Sequence, residues 1–380
     1  MSERSFEIGP IRPPSEASSL LLQVTRGCTW NKCRFCTVYR GSGFQMIQPE
    51  EIRKNIDNMA YFRDLLLSCS TDEGIVDKAK LYGYLENFSN DELQCFYMIY
   101  NWLSHGGKSV FLQDGNSIAL KPEKLAGVLV YLREKFPHIE RVTTYGRAET
   151  MSRWSEEQWR LLHQSGLNRI HTGFESGSDN VLKLIHKGLT QEQEIDGGRK
   201  VKAAGLELSV YFMPGIGGVE FHDENAEETA YVVNQIDPDF VRLRTFVLKL
   251  ESEMYDMKKA GDFSELTDIE KLQEIRKLIE KIDRPDVTVV SDHIVNLVGS
   301  LNHPIRRKGE MLAKIDEVLR LPEREQKIYQ LARRHGVVEE YSHLRELPKN
   351  RIEHFGYVAS QYTDPEVWES HLNGILRQYV

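Results

Sequence analysis

The chain has 380 residues, of which 40% are hydrophobic and 28% charged, with a net charge of −8. That composition describes a folded protein long enough for one large α/β domain or two ordinary ones. It argues against a dominant basic nucleic-acid surface, since RKVKAAG and PIRRKG are only small local clusters, and no apolar run reaches bilayer length. The first residues, MSERSFEIGPIRPP, are polar and lack an apolar signal-peptide core, so a cytoplasmic location without a membrane partner is expected. Five cysteines, an odd number and mostly clustered, do not make a disulfide framework.

In chain order, SSLLLQVTRGC reads as a buried strand running into a cysteine-rich loop. PEEIRKNIDNMAYFRDLLL follows as a helix with Pro49 in its first turn. Residues 62–107 carry extra helical material. SVFLQDG is a second strand and KPEKLAGVLVYLREKF a helix; RVTTYGRAE is a third strand, followed by helix SEEQWRLLHQSG with Ser155 as its N-cap. NRIHTGFES, LELSVYFMPG and FVRLRTFVL continue as strands four to six, each followed by helical sequence, and VTVVSDHIVNL is a further short strand candidate. Strands alternating with helices of this length imply parallel βαβ units. The predicted fold is α/β, a partial (β/α)6 TIM-like barrel with a helical insertion after the first helix and a helical C-terminal extension. The expected organisation is an N-terminal segment 1–17, a barrel 18–290 and an extension 291–380.

The loop GCTWNKCRFC holds three of the five cysteines as Cys-x4-Cys-x2-Cys, on Cys28, Cys33 and Cys36. Structural zinc would need a fourth ligand, with His105 a distant possibility. A plant-type [2Fe–2S] cluster shares this spacing and would recruit Cys69 or, less suitably, Cys95. A [4Fe–4S] cluster on three thiolates would leave its fourth iron open to a small chelating ligand. The loop leaves a parallel strand at its C-terminal end, where barrel active sites sit.

Together with GFESGSD (173–179) and LKLIHKGLT, the loop resembles the radical S-adenosylmethionine superfamily, and its methylthiotransferase and elongator branch in particular. The resemblance covers about residues 18–290. It implies a [4Fe–4S] cluster on Cys28, Cys33 and Cys36, with S-adenosylmethionine chelating the open iron through its amine and carboxylate. Reductive cleavage to a 5′-deoxyadenosyl radical, and hydrogen abstraction from substrate, are the implied activity. The usual spacing is Cys-x3-Cys-x2-Cys; here the first gap is one residue longer, while the aromatic Phe35 before the last cysteine is kept. Trp30, in the lengthened gap, is a candidate cover for the cluster.

The resemblance also nominates positions around the barrel. Gln113, Asp114 and Gly115 close strand two, where the family binds the methionine amine; an acidic group suits an ammonium, which favours Asp114. A turn aspartate is the plainer reading. Glu175 and Ser176 line the S-adenosylmethionine pocket, near ribose or carboxylate, by the same resemblance, with Gly173 and Gly177 allowing close backbone approach. Met213, Gly215 and Ile216 are candidates for packing on adenine, although a Pro-Gly turn also explains Pro214 and Gly215. Arg242 and Arg244 alternate onto one face of strand six and suit a carboxylate or an anionic substrate. Arg147 and Tyr145 end strand three, the tyrosine as a substrate contact or hydrogen-atom relay. Asp292 and His293 are neighbours, so at most one faces the site, and His293 is the candidate contact. For the arginines, Tyr145 and His293, ordinary packing is the competing explanation.

No second cysteine cluster and no cobalamin domain before the barrel are found, which leaves a single-cluster enzyme acting on a small, anionic molecule. Its partners would be that substrate and an electron donor such as flavodoxin or ferredoxin. A non-catalytic iron–sulfur carrier or sensor, and an RNA- or protein-modifying enzyme of the same superfamily, are the alternatives.

Overall fold

The computed structural model describes residues 4–71 and 76–379. The predicted insertion at 62–107 includes 72–75, which lie outside the described residues. The elements are β1 (Leu20–Gln23), β2 (Thr25–Arg26), β3 (Gln45–Met46), α1 (Pro49–Ser68), α2 (Lys78–Leu85), α3 (Asn90–Ser104), β4 (Ser109–Gln113) and α4 (Pro122–Lys135). Then come β5 (Arg141–Tyr145), α5 (Ala148–Arg153), α6 (Glu156–Gln164), β6 (Arg169–Glu175), α7 (Asp179–Leu184), α8 (Gln191–Ala203), β7 (Glu207–Phe212) and α9 (His222–Ile236). The rest are β8 (Phe240–Leu243), α10 (Glu253–Ala260), α11 (Asp268–Lys281), β9 (Thr288–Val290), α12 (Lys308–Leu319), α13 (Glu323–Arg334), α14 (Lys349–Ser360) and α15 (Pro365–Leu376).

The chain divides into two compact units. The first comprises Met1–Thr29, Gly41–His171 and Ala203–Glu207; the second comprises Trp30–Arg40, Thr172–Lys202 and Leu208–Val380. Strand β6 begins in one and ends in the other, so a single strand order, β1-β4-β5-β6-β7-β8-β9, runs along the sheet. The strand pairs along it are parallel. This is the α/β class the sequence predicts, with β1 and β9 at the two ends of the strand order. The short β2–β3 ribbon is antiparallel and stands apart from the sheet.

In the first unit, register sorts the side chains by face. Leu20, Leu22, Val110, Leu112 and Val142 alternate onto a fully buried apolar face. The opposite face carries Gln23, Phe111, Gln113, Tyr145 and His171. Phe111 and Tyr145 meet edge-on at 5.0 Å, and His171 lies 6.0 Å from Tyr145. In the second unit Leu208, Val210, Phe212, Val241, Leu243 and Val289 make the apolar face. Its reverse carries Ser209, Tyr211 and Arg242. Each unit therefore has one face committed to hydrophobic burial and another lined with polar and aromatic groups.

Three details depart from expectation. The stretch FVRLRTFVL pairs with β9 only through Arg242, because Asn296 takes the place of a strand neighbour. Its Oδ1 accepts from the Thr245 backbone N–H at 3.1 Å, and its Nδ2 donates to the Leu243 carbonyl at 2.9 Å. Helices α5 and α10 were not anticipated, being short and weakly patterned. Helix α1 runs on to Ser68, so the extra helices of the insertion are α2 and α3. The C-terminal extension is helical as predicted, from α12 to α15.

The β6–α7 turn tests the packing. A Cβ at Gly177 would stand 2.5 Å from the Glu228 carbonyl oxygen and 2.7 Å from the Thr229 Cα, both backbone atoms of α9 that cannot give way locally. Gly177→Ala should lower stability by about 1–3 kcal/mol. Gly309→Ala, whose Cβ meets nothing within 4 Å on α12, should leave it unchanged or raise it by up to about 1 kcal/mol. Urea unfolding of the two variants checks the contrast.

Candidate active site

Cys28 belongs to the first unit, Cys33 and Cys36 to the second. All three are outside any disulfide and partly exposed, whereas Cys69 and Cys95 are buried. Cys69 closes α1, and Cys95 sits on α3 with its thiol donating to the Phe6 carbonyl. Burial pushes the Cys95 thiol above its ordinary range. A buried thiol kept protonated makes a poor metal ligand.

The second half of the loop is anchored within the second unit. The Arg34 backbone N–H donates to the Ile185 carbonyl at 2.9 Å, and its guanidinium reaches the Leu184 carbonyl at 2.8 Å. Phe35 packs on a cluster made of Val181, Ile185, Ile216, Phe246, Leu248, Met254 and Phe263. Trp30 donates from its indole to the His186 carbonyl at 2.7 Å. Its ring lies so close to Gly188, which has φ +70°, that a Cβ there would sit 2.3 Å from ring atoms. Asn31, at φ 49°, ties its amide to the Tyr39 carbonyl at 2.5 Å. The lengthened gap thus supplies a tryptophan that fastens the loop to the turn after α7.

Two candidate carboxylates share an unusual backbone. Asp114 ends β4 at φ 95° and is fully buried; its Oδ2 accepts from the Gln23 side chain at 2.5 Å. Glu175 ends β6 at φ 69° and accepts from Lys187 Nζ at 2.9 Å. Non-glycine residues held at positive φ store roughly 1–3 kcal/mol of strain and concentrate at functional sites. The Glu175 carboxylate lies against Gly173, where a Cβ would displace it.

Other candidates are engaged in the framework. The Gln113 amide donates to the Gly9 and Ile11 carbonyls and accepts from the Gly9 N–H, so it holds the N-terminal segment. Gly115 is half-buried after Asp114. Ser176 is buried and accepts from the Ser178 backbone N–H, next to the cap of α7. Ile216 lies wholly inside the apolar cluster, and Met213 packs against it. Gly215, at φ +87°, faces Lys271, where a Cβ would come within 2.9 Å. Arg147 is buried at the N-terminus of α5, its backbone N–H on Asn116 Oδ1. Arg242 donates to Ser209 Oγ at 3.0 Å and to Asp292 Oδ2 at 2.9 Å. Arg244 is half-buried, its guanidinium over the Tyr211 ring.

Partners distant in sequence were missed. Gln23 lies 91 residues from Asp114, and no local pattern marks the pair. Glu274 on α11 accepts from the Gly215 N–H at 3.2 Å, from Asn225, and from His222 at 3.4 Å, and so braces the Met213–Gly215 turn. Burial raises the Glu274 carboxyl, and the Glu274 hydrogen bond raises His222.

Comparison with known proteins follows from this geometry. Residues 91–230 match the family described as the radical SAM superfamily. This span holds β4 to β7, with Asp114 and Glu175 among its residues. The 4′-phospho-dehydrooxetanocin synthase of Priestia megaterium is 24% identical over 312 residues, 79% of this chain and 35% of that protein. The resemblance to the radical SAM superfamily read from the sequence is matched over residues 91–230. The tRNA-2-methylthio-N(6)-dimethylallyladenosine synthase of Syntrophus aciditrophicus is 29% identical over 182 residues, 47% of this chain and 39% of that protein. The solved Elp3 of Methanocaldococcus infernus covers 62% of this chain and 60% of its own at 20% identity, with a TM-score of 0.44. The chain thus spans little more than a third of these curated relatives.

Members of the superfamily use a [4Fe–4S] cluster and S-adenosylmethionine. Three partly exposed cysteines outside any disulfide are the donors that a cluster taking one thiolate at each of three irons would need. Among the described residues no three His, Cys, Asp or Glu side chains gather around one metal ion, and a cubane does not require that they do. No described helix is long and apolar enough to cross a membrane.

The Glu274–His222 brace has a pH signature. Both groups have raised folded values, so their contribution is complete below the unfolded values and is lost as pH rises through the folded ones. Wild-type stability should therefore fall as pH rises through and above the ordinary histidine value of 6.5, and His222→Gln should flatten that slope. Thermal unfolding between about pH 6 and 8 measures it.

Proposed function

We propose that this chain holds a [4Fe–4S] cluster on Cys28, Cys33 and Cys36, cleaves S-adenosylmethionine reductively, and abstracts hydrogen from a small, anionic substrate. The reading is carried by three partly exposed cysteines, outside any disulfide, in a nine-residue stretch of a chain that resembles the radical SAM superfamily. When bound, the two cofactors supply an electron and a 5′-deoxyadenosyl radical, chemistry no side chain provides.

The side chains bind, orient and exclude water. Three thiolates hold three irons. Asp114, buried and fixed by Gln23, accepts hydrogen bonds from the ammonium of the methionine moiety. Glu175, its charge balanced by Lys187, serves the ribose or carboxylate side. Met213 packs on adenine. Arg147 is an additional ligand for the methionine carboxylate, and Tyr145 is the hydrogen-atom relay or substrate contact. An electron donor such as flavodoxin or ferredoxin supplies the reductant, and the cytoplasm is the proposed location.

A second reading, an RNA substrate, is favoured by relatives whose names carry tRNA, among them the methylthio-adenosine synthase. The net charge of −8 favours the small molecule. A salt-dependent gel shift with bulk tRNA separates the two.

Reconstituted without oxygen, the protein should bind about four irons. With dithionite it should form 5′-deoxyadenosine from S-adenosylmethionine, which should also change the electron paramagnetic resonance signal of the reduced cluster. Each of Cys28→Ala, Cys33→Ala and Cys36→Ala should lower iron content and abolish turnover. Asp114→Asn and Glu175→Gln should keep the iron and lose at least about tenfold in S-adenosylmethionine affinity. Retention of iron and turnover by all three cysteine variants would overturn the assignment. Cluster binding without any calorimetric response to S-adenosylmethionine would indicate an electron carrier.

A further inference from the structure

The second unit concentrates positive charge where β8 and β9 end. Arg242, Arg244 and Arg333 approach this corner from β8, the segment after it, and α13. Asp292 is the carboxylate among them, and it is engaged: Arg242, only 5% exposed, holds its Oδ2 at 2.9 Å. Arg333 spends its guanidinium on the backbone carbonyls of His293, Asn296 and Val338. Arg244 is different. Among the described residues it has no carboxylate within ion-pair distance, although it is half-buried.

What holds Arg244 is a ring. Its guanidinium carbon lies 5.7 Å from the centre of Tyr211, the β7 residue in register with Arg242. A ring offers a guanidinium no oxygen acceptor, which leaves N–H donors for a second partner. Those donors match the paired oxygens of a carboxylate or a phosphoryl group.

His293 adds a donor of fixed sense. Its Nδ1 accepts from the Val295 backbone N–H at 3.3 Å, so in the neutral ring the proton sits on Nε2. Burial, then Arg244 and then Arg333 hold its proton affinity down, to a pKa of about 4, despite Asp292. At neutral pH the ring is uncharged and donates through Nε2.

We propose that Arg244, carried on Tyr211, together with the Nε2–H of His293 forms an oxyanion subsite that takes the carboxylate or phosphoryl end of the substrate. The proposal deepens the reading of the chain as a hydrogen-abstracting enzyme with an anionic substrate. Arg242, the other arginine of the same strand face, is excluded from this task by Asp292. The pair that sequence alternation makes equivalent is thereby split into one structural and one binding arginine.

The reconstituted full chain is titrated calorimetrically with inorganic phosphate and with acetate as probes. Wild type should bind at least one of them saturably. Arg244→Gln should weaken that binding at least tenfold, Arg244→Lys should retain part of it, and His293→Gln should lose several-fold. Arg306→Gln, which removes an exposed arginine paired with Asp286, should not alter it. A preference for phosphate assigns a phosphoryl end and a preference for acetate a carboxylate end. No saturable binding of either probe, equal binding by wild type and Arg244→Gln, or an equal loss in Arg306→Gln would each overturn the proposal. Formation of 5′-deoxyadenosine by wild type is measured separately. Arg244-dependent anion binding without that product removes the radical reading and leaves the subsite; the product with Arg244-independent binding does the reverse.

Discussion

A charge taken out of water must find an opposite charge or a full set of hydrogen bonds, and that requirement organises this protein. The second unit meets it repeatedly. Lys187 answers Glu175, Arg242 answers Asp292, Arg334 answers Asp268, and Lys271 answers Glu265. Glu274 is satisfied by Gly215, Asn225 and His222. Once these pairs are formed, the charged groups still able to serve a ligand are few. Glu194 on α8 shows the other solution: fully buried with no hydrogen-bond partner for either oxygen among the described residues, its carboxyl is pushed well above the usual carboxylate range by burial. Function in this molecule is thus read from which charges remain uncommitted.

The cysteine loop follows a parallel rule for the backbone. A loop with three thiols needs support that does not consume the thiols. Here the support comes from residues between and around them: Arg34 and Trp30 on the turn after α7, Phe35 in the apolar cluster, Asn31 on Tyr39. The extra residue of the first gap has a physical use, because Trp30 packs where Gly188 leaves room. That same turn carries Lys187, the partner of Glu175. Loop anchoring and carboxylate charge are therefore fixed by adjacent residues of one turn.

Much of this was legible in the sequence. Strand-helix alternation gives the strand order, since consecutive parallel strands need crossovers, and Pro49 and Ser155 mark helix starts by local chemistry. The three cysteines are close in sequence, so their grouping needs no fold to be seen. The acids Asp114 and Glu175 were visible as strand-end residues in glycine-rich turns. Their positive φ, and the partners Gln23 and Lys187, were not. Hydrogen bonds such as Gln23 to Asp114 join residues on neighbouring strands, and no local pattern records them. Gln113 and Ile216 show the converse: each sits in a suggestive motif, yet one ties down the N-terminal segment and the other fills an apolar cluster.

The sequence by itself determined the resemblance to a superfamily, the grouping of the three cysteines and the order of the strands, because each is written in short-range spacing. Tertiary structure decided which charges are spent. Arg242 and Arg244 are equivalent by alternation, and only the approach of Asp292, just after β9, neutralises one and leaves the other on its tyrosine. The physical reason is that pairing depends on distances across the sheet, and a chain read residue by residue has no such distances.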